Sequence, residues 1–72
     1  MAEAKPNDLH QRAKTALDNS PIRVLRSVHV EQTGRTLVLS GHVESFYQKQ
    51  LAQELVRTVA SECELINSIH VQ

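Results

Sequence analysis

The sequence predicts an α+β fold in α-β-β-α-β order, a three-stranded mixed sheet with two helices packed on one face. Three observations predict it. Two segments carry apolar residues at helical spacing, and three carry alternating apolar and polar residues of half-buried strands. Glycine and proline punctuate the joints between them. Each strand has one strongly apolar and one mostly polar face, so the sheet needs covering on one side only.

Residues 1–6 are small and polar, and read as a flexible lead-in to a single domain over 7–72. The first helix is expected from about Asn7 to Asp18, with Leu9, Ala13, Ala16 and Leu17 on one stripe. Asn7 is the expected N-cap, and Asp8 sits well against the positive end of the helix dipole. Asn19-Ser20-Pro21 stops the helix, because proline disfavours helical geometry in the residue before it. From Ile22 to Glu31 the pattern turns extended, with Val28 and Val30 alternating against Ser27, His29 and Glu31. Leu25 breaks the alternation, so 22–26 is expected as a bend or a loosely paired strand end.

Gln32-Thr33-Gly34-Arg35 is a hairpin turn in which Gly34 takes positive φ. Thr36–Val43 is the clearest strand. Leu37, Leu39, Gly41 and Val43 point inward, and Thr36, Val38, Ser40 and His42 point outward. Gly41 stands where a core side chain would be expected, so a helix or backbone must approach closely there. Ser45 opens the longest helix through a capping box with Gln48. Tyr47, Leu51 and Leu55 are expected on its buried stripe, widened by Ala52, Val56 and Val59. Phe46 lies off that stripe, where packing at the cap is weighed ahead of exposure. A last strand over Cys63–Val71 sets Leu65, Ile69 and Val71 inward against Ile66, Ser68 and His70.

With 72 residues there is room for one core, and stability of roughly 4–11 kcal/mol follows from about 0.05–0.15 kcal/mol per residue. Cys63 is the only cysteine, so no disulfide forms within the monomer, and a small buried thiol is its expected role. Eight basic and eight acidic residues cancel, which argues against a nucleic-acid binder. The chain as written lacks a membrane-spanning run and a signal peptide, so a cytoplasmic location is the default.

Three stretches resemble the BON domain family. Gly34-Arg-Thr-Leu-Val-Leu-Ser-Gly41-His-Val43 is similar to its glycine turn, apolar strand and Leu-Ser-Gly-x-Val ending. Lys49-Gln-Leu-Ala-Gln-Glu-Leu-Val-Arg-Thr-Val59 resembles the helix that follows. Leu65-Ile-Asn67-Ser-Ile-His-Val71 is like its final Val-x-Asn-x-Ile-x-Val strand. Ser61-Glu62 departs from the Gly-Val that the family often has before that strand. The resemblance implies a non-catalytic module of bacterial envelope and osmotic-stress proteins, with anionic phospholipid as the usual proposed ligand. It also implies a periplasmic or membrane-associated setting, and company such as a second BON domain.

The residues themselves offer two surfaces. For lipid, the expected equipment is an exposed apolar foot beside basic residues, and His42, Phe46 and Lys49 flank the strand-to-helix corner. Arg12, Lys14, Arg23, Arg26, Arg35 and Arg57 are scattered in sequence and form no polybasic run. The outward sheet face carries His29, His42 and His70, one per strand, with serines and the apolar spots Val38 and Ile66. It reads as a solvated polar face in preference to a histidine metal site, and as a docking surface for a protein partner or a second copy. The open sheet edge is a further route to association. No catalytic arrangement, phosphate-binding glycine loop or cofactor motif is recognisable, so neither an enzyme nor a small-molecule substrate is expected, and a monomer is favoured. The element order is also that of RNA-binding KH domains, but their Gly-x-x-Gly clamp is absent.

Overall fold

A computed structural model describes residues 6–72, with side chains described from Leu9 onward. Five main elements follow in the expected order: α1 (Pro6–Asp18), β1 (His29–Thr33), β2 (Thr36–Val43), α2 (Phe46–Val59) and β3 (Glu64–Val71). The backbone of Asn7 is already helical, and its side chain, expected as a cap, lies outside the described residues. So does most of the expected lead-in.

The stretch expected as a bend or strand end is instead a 3-10 turn over Arg23–Ser27. Its cause is the three-residue spacing of Ile22, Leu25 and Val28. In a 3-10 turn residues three apart lie over one another, and here Leu25 and Val28 are both buried while Ile22 packs against the core. The preceding corner is pinned by Ser20, whose Oγ accepts from the Ile22 N–H and whose carbonyl accepts from Arg26 Nε at 3.0 Å. Strand β1 therefore starts only at His29.

Two residues, Gly34 and Arg35, join β1 to β2, with Thr33 paired to Thr36. Gly34 has φ 62° and Arg35 does not share the positive sign, the requirement of a type II′ hairpin. The strand order is β1-β2-β3, with β2 central, antiparallel to β1 and parallel to β3. A hairpin holds β1 on one side of β2, which leaves the opposite side for the strand that returns through α2.

The inward residues Val30, Leu37, Leu39, Val43 and Ile69 meet Leu9, Ala13 and Leu17 of α1 and Ala52 and Val56 of α2 in one core. At about 1.5–3 kcal/mol for each large apolar side chain, this burial is the main force opposing chain entropy. The α2 stripe is rotated relative to the sequence expectation. Ala52 and Val56 form its buried centre, Leu51, Leu55 and Val59 flank them half-buried, and Tyr47 is 68% exposed. Burial along α2 begins a turn inside its N-terminus, where Gln48, not Tyr47, continues the row of Ala52 and Val56.

The N-terminus of α2 is capped as expected at Ser45, whose Oγ accepts from the Gln48 N–H at 3.1 Å. The reciprocal half is displaced by one residue. Gln48 Oε1 accepts from the Glu44 N–H at 2.8 Å instead of from Ser45 itself. At the other end, the glycine-free Ser61-Glu62 turn is accommodated by a side chain. Arg12 of α1 donates to the Val59 carbonyl at 2.9 Å and pairs with the Glu62 carboxylate, while Arg35 donates to the Glu62 carbonyl at 3.1 Å. A cation thus satisfies a C-terminal carbonyl that a glycine turn often serves.

Candidate functional site

The C-terminal ends of the parallel strands β2 and β3 meet the N-terminus of α2 at one end of the molecule. Val43 is buried there and anchors the end of β2. The Ser45 cap then fixes the direction in which α2 departs, and its two leading residues point away from the core. Phe46 is 73% exposed and Tyr47 68%, so neither the cap packing expected for Phe46 nor the core position expected for Tyr47 is observed. Two adjacent exposed aromatics are costly to leave in water and are the part of this surface that most needs an explanation.

Charge surrounds them. The Lys49 ammonium lies 5.9 Å from the Phe46 ring centroid, a cation–π distance. A shallow groove beside the pair is lined by Phe46, Lys49, Gln50, Gln53 and Asn67. On the other flank, Glu44 and Gln48 line a depression with Ile22, Arg23 and Val24. Val71, expected inside, is 41% exposed at the end of β3, because its register partner Val43 is the last residue of β2.

His42 and His70 are register partners on β2 and β3, and their rings stack with centroids 5.6 Å apart at 25°. His29 faces Ser40, and so does not join them. Among the described residues no group of three or more histidine, cysteine, aspartate or glutamate side chains is placed to hold a metal ion. Val38 sits further along the outward face, between Glu31 and Ile66, and Ile66 is 45% exposed. Of the residues singled out in the sequence, Phe46 and Lys49 therefore meet at the start of α2, and His42 and His70 stack on the open face at the C-terminal ends of β2 and β3. Val38 and His29 belong to the open sheet face. Gly34 and Gly41 are structural, and Gly41 lies against the backbone of Ser27–His29.

Tyr47, Val71 and Arg23 were not legible as members of this surface. A period of 3.6 placed Tyr47 inside, and a period of two placed Val71 inside; neither pattern carries the point at which the layer beneath an element ends. The opposite end of the molecule is held by polar contacts. The Arg12 guanidinium beside Glu62 holds that carboxyl below the usual carboxylate range, although both groups are solvated. Cys63 is half-buried, not fully buried as expected, and donates to the Ala60 carbonyl at 3.0 Å. Burial, and then the charge of Glu62, push its thiol up.

The family profile of the BON domain matches residues 7–72, nearly the whole chain. No curated protein matches the chain.

Proposed function

The chain belongs to the BON domain family, generally non-enzymatic binding modules, and from that premise we propose that it docks peripherally on anionic phospholipid surfaces through Phe46 and Tyr47. The observation that carries this is the exposed aromatic pair, with Lys49 over the Phe46 ring. Aromatic rings suit the boundary between headgroup and acyl chain, where an apolar body and a wet edge are both accommodated. Lys49 and Arg23 supply attraction to anionic headgroups, each worth about 1 kcal/mol close to such a surface. No described helix is long and apolar enough to cross a membrane, and the reading requires only shallow insertion.

A setting in the bacterial envelope or in a stress response accords with that role. Co-sedimentation with vesicles of phosphatidylserine and phosphatidylcholine is the test. Full burial of a phenylalanine side chain is worth about 1.5–3 kcal/mol. Phe46→Ala is therefore expected to lower partitioning by roughly tenfold, since 1.4 kcal/mol is a factor of 10. Added salt lowers it further by screening Lys49 and Arg23. Binding that is equal for the wild type and a Phe46→Ala/Tyr47→Ala variant would sink the proposal. A second reading, a protein partner on the open sheet face, is favoured by Ile66 beside Val38; loss of partner binding in Ile66→Ser, with vesicle binding intact, would select it.

A further inference from the structure

The outer edge of β3 is closed by one side chain. In a parallel pair, the N–H and C=O of one residue point to the same side and those of the next to the other. Glu64 N donates to the Arg35 carbonyl and Gln72 N to the Val43 carbonyl, so the even-numbered residues of β3 bond to β2. Leu65, Asn67, Ile69 and Val71 therefore present their backbone groups to the outer edge, where no further strand lies among the described residues. On that edge the Ile69 N–H donates to Asn67 Oδ1 at 3.1 Å. The same amide donates from Nδ2 to the Lys49 carbonyl and to Gln53 Oε1, each at 3.1 Å, tying the edge to α2.

We propose that Asn67 is a latch that keeps β3 from pairing edge to edge with β3 of a second copy of this chain. The edge is otherwise well suited to pairing. It is eight residues long and contains neither proline nor lysine, two of the usual guards. An antiparallel partner centred on Asn67 brings outward backbone against outward backbone, with Leu65 opposite Ile69. On the open face the same register sets Glu64 opposite His70 and Ile66 opposite Ser68, with no like charges facing. The strand is self-complementary, which is what a two-fold interface requires.

The other edge is also tied to a helix by an amide, although that amide caps no outward group of its own strand. Gln32 of the shorter β1 accepts from the His10 N–H of α1 at 3.0 Å and donates to the Gly34 carbonyl at 2.9 Å. Each edge strand thus spends one helix-side position on an amide that binds a helix backbone group. Only β3 is long enough for the second strand to gain a full ladder once its amide is removed.

The test is sedimentation velocity over a concentration series, with amide exchange to locate the contact. Asn67→Val frees the Ile69 N–H and places a strand-favouring side chain at the centre of the edge. It is expected to strengthen dimerisation at least tenfold over the wild type and to protect the amides of Leu65, Ile69 and Val71. Gln53→Ala loosens only the tie to α2 and is expected to remain as monomeric as the wild type. Adding Val71→Pro to Asn67→Val removes an outward donor without touching a β2 bond, and is expected to restore the monomer. If Asn67→Val does not fold, Asn67→Thr is read by the same criteria. A folded variant no more associated than the wild type overturns the proposal. So does a wild type already paired through β3, or association that survives Val71→Pro. Phe46 and Tyr47 take no part, so the outcome is independent of vesicle binding.

Discussion

Replacing Gly41 separates two costs that the sequence merges into one. An added Cβ would meet Val28 Cα at 3.6 Å, the Ser27 carbonyl oxygen at 3.7 Å and His29 N at 3.9 Å, all ordinary contacts. Space for a methyl group is therefore present, and the expectation that close approach alone demands glycine is revised. The demand comes first from the backbone, because Gly41 has φ 129°. An L residue held there costs about 1–3 kcal/mol, and that is the expected loss in Gly41→Ala. Valine adds two methyl groups against the backbone of Ser27–His29, for about 1–3 kcal/mol more of overpacking. Against roughly 4–11 kcal/mol of total stability, Gly41→Ala folds with a melting temperature lower by about 4–8 °C per kcal/mol. Gly41→Val sits at or beyond the limit of folding. Urea denaturation followed by circular dichroism measures both. A Gly41→Ala variant within about 0.5 kcal/mol of wild type would refute the backbone argument, that being the scatter of ordinary surface substitutions. Equal losses for alanine and valine would refute the steric one.

Ser45→Ala removes the acceptor of the Gln48 N–H and is expected to cost about 1 kcal/mol by the same denaturation assay, with Gln48→Ala smaller because its bond is to the exposed Glu44 N–H. The lowered folded-state pKa of Glu62 means that its contribution is present above the ordinary carboxylate range and lost as pH falls through the folded value. Arg12→Ala should therefore flatten the decline in stability as pH falls through and below the ordinary carboxylate range; an unchanged acid limb would remove Glu62 from the account. Because its thiol is pushed up, Cys63 should react with iodoacetamide at pH 8 several times more slowly than a free cysteine, and unfolding in urea should abolish the difference.

The elements were legible because each is written in local terms. Alternation over Thr36–Val43 placed β2 to the residue, the Gly34 turn placed the hairpin, and Ser45 placed the start of α2. The 3-10 turn was missed because the threefold spacing of Ile22, Leu25 and Val28 is too short a run to compete with the strand pattern that follows it. The sequence reading put Gln32 in the hairpin turn and Asn67 in the last strand, with no role for either side chain. In the folded chain both are edge-strand amides bonded to helices, and only the strand order makes them edges.

Periodicity and punctuation determine which residues can share a face, since both follow from the repeat of the backbone. They settle the α-β-β-α-β order and the strand faces that Leu37, Leu39 and Ile69 bury. The extent of each layer is a different kind of quantity. Val71 repeats in phase with buried Ile69 and is nevertheless exposed at the last residue of β3, and Tyr47 is exposed because the buried centre of α2 runs through Ala52 and Val56, beside the row of Tyr47, Leu51 and Leu55. The aromatic end, with Lys49 beside Phe46 and Arg23 in the depression that Glu44 and Gln48 share, follows from that rotation of α2. Tertiary packing alone decides it, because burial depends on what lies beneath a side chain and not on its phase along the chain.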